Sequence, residues 1–343
     1  MKQAIIRAPG EALVREAPPP VRPADGYLVA VRACALCTWE QRVYRGATPQ
    51  YPFAGGHEIG GVVAAGPDGG PLAPGTLVAV SRLPRCGRCA ACERGLDNLC
   101  AYLTPFDAGE GPGGLAEYLV AAEGDLAALP DTRTAAEAAL VEPLACVLNS
   151  LAVAGVDAGS RLAVVGNGFM GVLHARAAAA RGAEVVVLET GAAPAGLERA
   201  WRGARRPLGE DALATQAPLP EGEAFDAAIV IRGAPWSIAA AAQLVRPGGV
   251  VSVYASLAAD VSVGLPSRLI RRRQLVLTAA ASHRRVDFAR AAEHVADGTV
   301  AVADLVHRRY PLAQVQAALA YAAETDSGRV IVTLDGQAEP MER

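Results

Sequence analysis

The most chemically specific run of the chain is RCGRCAACERGLDNLC, which spaces Cys86, Cys89, Cys92 and Cys100 as C-x2-C-x2-C-x7-C. Four thiolates so spaced let a short backbone wrap a tetrahedral zinc ion with every sulfur turned inward. The run holds four of the chain's seven cysteines, so it is a cluster and not a by-product of composition. The competing chemistry is a pair of disulfides, which needs an oxidising compartment. The opening MKQAIIRAPGEALVREAPPP has no apolar stretch of export-signal length. A cytoplasmic setting is therefore expected, where this spacing reads as metal. With all four ligands from protein the site is closed: it shapes a lobe, here 84–102, and offers no position to a substrate.

A second run, Gly166-Asn167-Gly168-Phe169-Met170-Gly171, is G-x-G-x-x-G between an apolar strand, RLAVV, and a helical segment. In that context it reads as a dinucleotide turn. Gly166 permits the tight bend, Gly168 lets backbone N–H groups reach a pyrophosphate, and Gly171 lets the helix pack closely. The next strand ends at Glu189, whose carboxylate suits the two ribose hydroxyls of adenosine and repels a 2′-phosphate. NAD is preferred over NADP on that ground. Arg199, Arg205 and Arg206 follow, and would serve a phosphate if their loop folds back.

The elements that must position these groups fall into two textures. Before about residue 150, AIIRA, YLVAVRAC, IGGVVAAG and TLVAVSRL are short strands split by Gly and Pro. Beyond it, strand and helix alternate: RLAVVGNG, FMGVLHARAAAARG, AEVVVLET, an Arg-rich helical segment, FDAAIVIRG, WSIAAAAQLVRPGG and VVSVYAS. Such alternation implies an α/β fold with a doubly wound parallel sheet covered on both faces. The tail ends in another strand, GRVIVTL, and either extends that sheet or returns to the first lobe.

The bulk properties exclude several classes. A length of 343 residues favours two domains, and 52% hydrophobic with 20% charged residues is the composition of a well-cored soluble protein. No run of some twenty apolar residues lacks charge, so no membrane partner is expected. The net charge is −3, and the only basic run, Arg271-Arg272-Arg273, reads as a solvated edge or cofactor-facing rim, not a nucleic-acid surface.

Three further segments complete a pattern: Cys37 in ACALCTWEQRVYRG, His57 in AGGHEIGGVVAAG and Glu142 in ALVEPLACVLNS. With the cysteine loop, the glycine turn, GGLAEYLVAAEGDLAALPD and LVRPGGVVSVYAS, they occur in the order of the zinc-dependent medium-chain alcohol dehydrogenases. The chain resembles the sorbitol and threonine dehydrogenase branch along almost its whole length. The resemblance implies a GroES-like, mostly-β catalytic domain (1–150, closed by 283–343) with a Rossmann domain (151–282) inserted. It implies catalytic zinc on Cys37, His57 and Glu142 with Glu58 beside it, and structural zinc on the four clustered cysteines. It also implies a homodimer or homotetramer that moves hydride between a small secondary alcohol and NAD. Three protein ligands leave zinc a position to polarise the substrate oxygen.

The chain departs from the family after the zinc cysteine. The family places a Ser or Thr, then Asp, then a histidine; here Trp39, Glu40 and Arg42 fill those slots after Thr38. Indole donates one hydrogen bond and accepts none, so Trp39 cannot relay a proton. Transfer is left to Thr38, to Glu58 or Glu40, to water, or to a group on the substrate. Alternatively the chemistry has been diverted to an imine or activated double bond, or lost altogether in a dinucleotide-binding protein. Trp39 is expected to wall the pocket against a ring-shaped or bulky alcohol such as a cyclitol or amino sugar. Arg42 is expected to meet an anionic group or solvent.

Overall fold

The computed structural model describes residues 1–48, 51–83, 85–102, 113–197, 199–208, 223–256, 262–325 and 327–334. β1 (Lys2–Ala8) and β2 (Glu11–Glu16) form an antiparallel hairpin. β3 (Tyr27–Ala35) is buried along nearly its whole length and leads through Cys37 into α1 (Thr38–Tyr44). β4 (Glu58–Ala65) returns antiparallel to β3 and is followed by β5 (Leu77–Val80). The short α2 (Ala90–Glu93) lies within the cysteine run. β6 (Tyr118–Ala121) pairs with β3, and β7 (Leu126–Ala128) with β5. α3 (Ala135–Ala139) and α4 (Val141–Val153) close this part of the chain. The run Ala135–Val153 is long and apolar enough to cross a membrane, but most of it is buried in the fold as a core helix.

The following stretch alternates as its apolar periodicity demands. β8 (Arg161–Val165), α5 (Phe169–Ala180), β9 (Glu184–Glu189), β10 (Ala204–Pro207) and β11 (Phe225–Val230) come first. α6 (Pro235–Leu244), β12 (Val245–Val253), α7 (Ser267–Arg273) and β13 (Val276–Ala279) complete it. The six strands form an all-parallel sheet in the order β10-β9-β8-β11-β12-β13. Chain direction across the sheet reverses between β8 and β11, and the glycine turn leaves the carboxyl end of β8 at that switch point.

The tail supplies α8 (Arg285–Asp297), β14 (Val306–Pro311), α9 (Val315–Glu324) and β15 (Arg329–Thr333). β15 pairs antiparallel with β3 and parallel with β14, so the tail rejoins the first sheet, ordered β14-β15-β3-β4-β5-β7. Contacts divide the chain into two units, Met1–Ala145 with Arg284–Arg343, and Cys146–His283. The first change of unit thus falls at 145/146 instead of 150/151, partway along α4, because one continuous helix serves both units.

One local expectation is corrected. The Arg-rich segment after Glu189 contains no helix among its described residues, and its ordered element is β10. Pro194, Gly196, Gly203 and Pro207 are spaced too closely for helical hydrogen bonding to persist. Arg271-Arg272-Arg273 forms the last turn of α7, with Arg271 and Arg272 exposed. There the Arg273 guanidinium donates to the carbonyls of Ala242, Gln243 and Val245, satisfying the end of α6.

Candidate active site

The four clustered cysteines bring their sulfurs within 4.8 Å of one another, and none is in a disulfide. Cys89 caps α2, and a 3-10 turn over Asp97–Leu99 delivers Cys100. Cys86 and Cys92 sulfurs lie 4.0 Å apart, those of Cys89 and Cys100 3.9 Å. The N–H groups of Cys86 and Tyr102 donate to the Cys100 sulfur, each at 3.4 Å. Hydrogen bonds from backbone N–H groups, that of Cys92 foremost, draw the Cys89 thiol down to about 6. Desolvation and a neighbouring sulfur push Cys92 up to about 12. Four thiolates this close repel one another, and a divalent cation is the species that lets all of them ionise. The donor set fits zinc.

The second cluster is built by strand register. Ala35 at the end of β3 opposes Glu58 at the start of β4, so Cys37, two residues past the strand, meets His57, one residue before the next. Glu40, at the third position of α1, reaches back to accept the Cys37 N–H at 3.1 Å. Its other oxygen accepts from the Gly56 N–H and from His57 Nδ1, both at 3.0 Å. A carboxylate can only accept, so Nδ1 carries a hydrogen, and a metal bound at Nε2 would replace the proton there. Burial opposes charge on the His57 ring, yet Glu40 and Cys37 outweigh it and raise its pKa well above the ordinary value.

Glu142, in the first turn of α4, is 6% exposed and joins His57 and Glu58 in a group whose ligand atoms lie within 4.8 Å of one another. Cys37, Glu40 and His57 form a second such group. The expected trio Cys37, His57 and Glu142 is therefore not one compact group: His57 is common to two, with Cys37 in one and Glu142 in the other. Burial lifts Glu58 to about 7, with Arg329 opposing the shift and Glu142 adding to it. Its Oε2 is buried without a hydrogen-bond partner among the described residues. Two buried carboxylates, an imidazole and a thiol converging in this way fit a cation such as zinc.

The departures after Cys37 also have places. Thr38 is exposed at the first position of α1, turned away from the buried cluster. Trp39 shares a helical face with Val43 and packs against the hydrophobic cluster of the first unit; its Nε1 is buried without a partner among the described residues. Arg42 is half-buried in the last turn of α1. Cys34 is a fully buried thiol on β3, and neither it nor Cys37 is in a disulfide.

In the second unit Gly166 bends at φ +124°, and a Cβ on Gly171 would stand 2.0 Å from the Gly166 carbonyl oxygen. Gly168 caps α5 without any side-chain hydrogen bond, and the first turn carries no acid. The N–H groups at that end are left for an anion. Phe169 is buried and Met170 half-buried; the Met170 carbonyl accepts from His174 Nδ1 at 2.7 Å. Asn167 donates to the Gly191 carbonyl at 3.0 Å, tying the turn to the exit of β9. Glu189 is not a bare carboxylate: Arg205 Nη1 lies 2.9 Å from its Oε1. Arg199 is exposed and lines a pocket together with Arg205, whereas Arg206 faces Glu223 at 3.8 Å.

Sequence reasoning missed Arg329, Trp201 and Arg202. Arg329 donates to Glu58 from the start of β15, a partnership only sheet pairing reveals. Trp201 and Arg202 line a pocket at the Glu189–Arg205 pair, and no motif marks them.

Residues 23–131 match the alcohol dehydrogenase GroES-like domain. The chain is 30% identical to sorbitol dehydrogenase of Bacillus subtilis over 78% of its own length and 76% of that protein's. It is 31% identical to D-altritol 5-dehydrogenase of Agrobacterium fabrum, over 89% and 91%. Among solved structures, one described as a zinc-binding dehydrogenase of Sinorhizobium meliloti bound to NADP superimposes with a TM-score of 0.86. It is 27% identical, and the match covers 97% of this chain and 98% of that one.

Proposed function

The chain belongs to the zinc-dependent medium-chain alcohol dehydrogenase family, and from that footing we propose that it moves hydride between a secondary hydroxyl of a small polyol- or sugar-like substrate and a nicotinamide dinucleotide. It is an oxidoreductase acting on CH–OH groups. Cys37, His57 and Glu142 hold a catalytic zinc, with Glu58 beside them, and Cys86, Cys89, Cys92 and Cys100 hold a structural one. Zinc at the first site supplies positive charge to an alcohol or carbonyl oxygen. Glu40 fixes the His57 tautomer and ring plane, and Arg329 holds Glu58. Gly166, Gly168 and Gly171 admit the pyrophosphate to the start of α5. The observation that carries this reading is the burial of His57, Glu58 and Glu142 with their ligand atoms within 4.8 Å of one another, since two buried carboxylates this close repel each other and a bound cation offsets that repulsion. Val276 and Leu277, 50% and 45% exposed on the outermost strand of the parallel sheet, support a homo-oligomer.

Metal analysis of the intact protein, with absorbance of the reduced nicotinamide followed over a panel of polyols and cyclitols, tests the proposal. Two zinc ions per chain and turnover of a secondary alcohol are expected. A single zinc, lost with the clustered cysteines, overturns it. Trp39 in the relay position favours a second reading, reduction of an imine or activated double bond. That reading requires consumption of reduced cofactor only with those acceptors. Dinucleotide binding with no turnover of any acceptor replaces both readings with a sensor.

A further inference from the structure

The exit of β9 carries more positive charge than a site for a bare ribose needs. An open pocket of about 430 Å³ is lined by Arg199, Trp201, Arg202, Gly203 and Arg205. Arg205 is held on two sides: it donates to the Trp201 carbonyl through Nε at 3.2 Å and Nη2 at 2.6 Å, and to Glu189 through Nη1 at 2.9 Å. The Trp201 indole lies directly over Gly203, where a Cβ would come within 2.2 Å of the ring. Arg199 and Arg202 are exposed and have no hydrogen-bond or ion-pair partner among the described residues.

We propose that this pocket takes a phosphate on the adenosine ribose, so that the enzyme binds NADP more tightly than NAD. The inference rests on the glycine turn being a dinucleotide site. The Asn167–Gly191 hydrogen bond keeps that turn beside the exit of β9, so a dinucleotide on the start of α5 runs its adenosine ribose toward Glu189. A bare Glu189 would repel a 2′-phosphate; Arg205 neutralises it. Arg199 and Arg202 then remain for a group that carries about −1.5 to −2 charge and three acceptor oxygens. Guanidinium forks suit such a group because they donate in parallel pairs. NAD offers those two arginines only neutral hydroxyls.

Calorimetric titration of zinc-loaded protein with NADP, NAD, 2′-AMP and 5′-AMP tests this without turnover, alongside an R199A/R202A variant whose fold is checked by circular dichroism. Expected are an NADP Kd about tenfold or more below that of NAD, and 2′-AMP bound more tightly than 5′-AMP. Two charge-assisted hydrogen-bonding groups removed weaken NADP by about 10- to 100-fold, and NAD by far less. Tighter binding of NAD by the unaltered protein overturns the proposal and leaves the dinucleotide site standing, as does a double variant that weakens both nucleotides equally or neither. Failure of all four ligands to bind overturns the dinucleotide site as well.

Discussion

Arg329 donates to Glu58 in a buried ion pair between residues 271 positions apart, their side chains 7% and 1% exposed. The pair exists because β15 and β4 flank β3, with Ala35 opposite both Ile331 and Glu58. Its energetics are asymmetric. Forming the pair is close to neutral, whereas removing one partner strands a charge. Arg329→Met is expected to destabilise the zinc-loaded protein by about 3–5 kcal/mol in urea unfolding. Adding Glu58→Gln to it should recover part of that loss, and a double mutant that is simply additive contradicts the pairing.

Glu40 is the positioning residue of the second cluster, not a ligand in the proposed scheme. Its carboxylate accepts from the Cys37 N–H, the Gly56 N–H and His57 Nδ1. Glu40→Gln keeps the shape, turns one acceptor oxygen into a donor, and removes the charge that steadies the imidazole. Outer-shell losses of this kind cost about 10- to 100-fold in metal affinity. Chelator competition should show one of two zinc ions released at that lower chelator concentration while the other stays. Unchanged release of both would mean that Glu40 serves only to cap α1.

The parts of this molecule legible in the sequence are those fixed by local spacing. The cysteine run and G-x-G-x-x-G place their groups within a turn or two of one another, so residue order already sets the geometry. The parallel strands were readable because β8, β9 and β11 are near-continuous apolar runs. Pairings made by register were not readable. Arg205 was one of several arginines until β10 paired with β9, and nothing near Arg329 in sequence points to Glu58. The burial of Trp39 also depends on tertiary packing: the same residue in α1 could have faced either a substrate or a core.

Gly171 tests the glycine turn directly. A methyl group there would stand 2.0 Å from the Gly166 carbonyl oxygen and 2.9 Å from its carbon, both backbone atoms that cannot swing aside. Gly171→Ala should therefore push α5 off β8, costing about 1–3 kcal/mol as overpacking does. It should also weaken dinucleotide binding more than it weakens folding, because the helix start moves with the turn. Thermal unfolding and titration with the dinucleotide separate the two effects. Full-affinity binding by the variant would place the pyrophosphate elsewhere.

His174, on α5, gives the second unit a dependence on pH. Its ring is fully buried, and Nδ1 faces the Met170 carbonyl, which can only accept. The hydrogen is thus on Nδ1, and Nε2 is left buried without a partner among the described residues. Burial disfavours a second proton and brings the pKa down to about 4, although the Met170 bond pulls the other way. Above the ordinary histidine value near 6.5, folded and unfolded chains both carry a neutral ring, and the native state bears no protonation cost. As pH falls from there toward 4, the unfolded chain takes up a proton that the folded chain refuses, and stability declines. The full difference is about 3 kcal/mol at about 1.4 kcal/mol per pKa unit. Urea unfolding between pH 7.5 and 4.5 should accordingly show a shallower acid decline for His174→Gln than for the unaltered chain, both loaded with zinc. Parallel declines would mean that His174 is protonated within the folded protein.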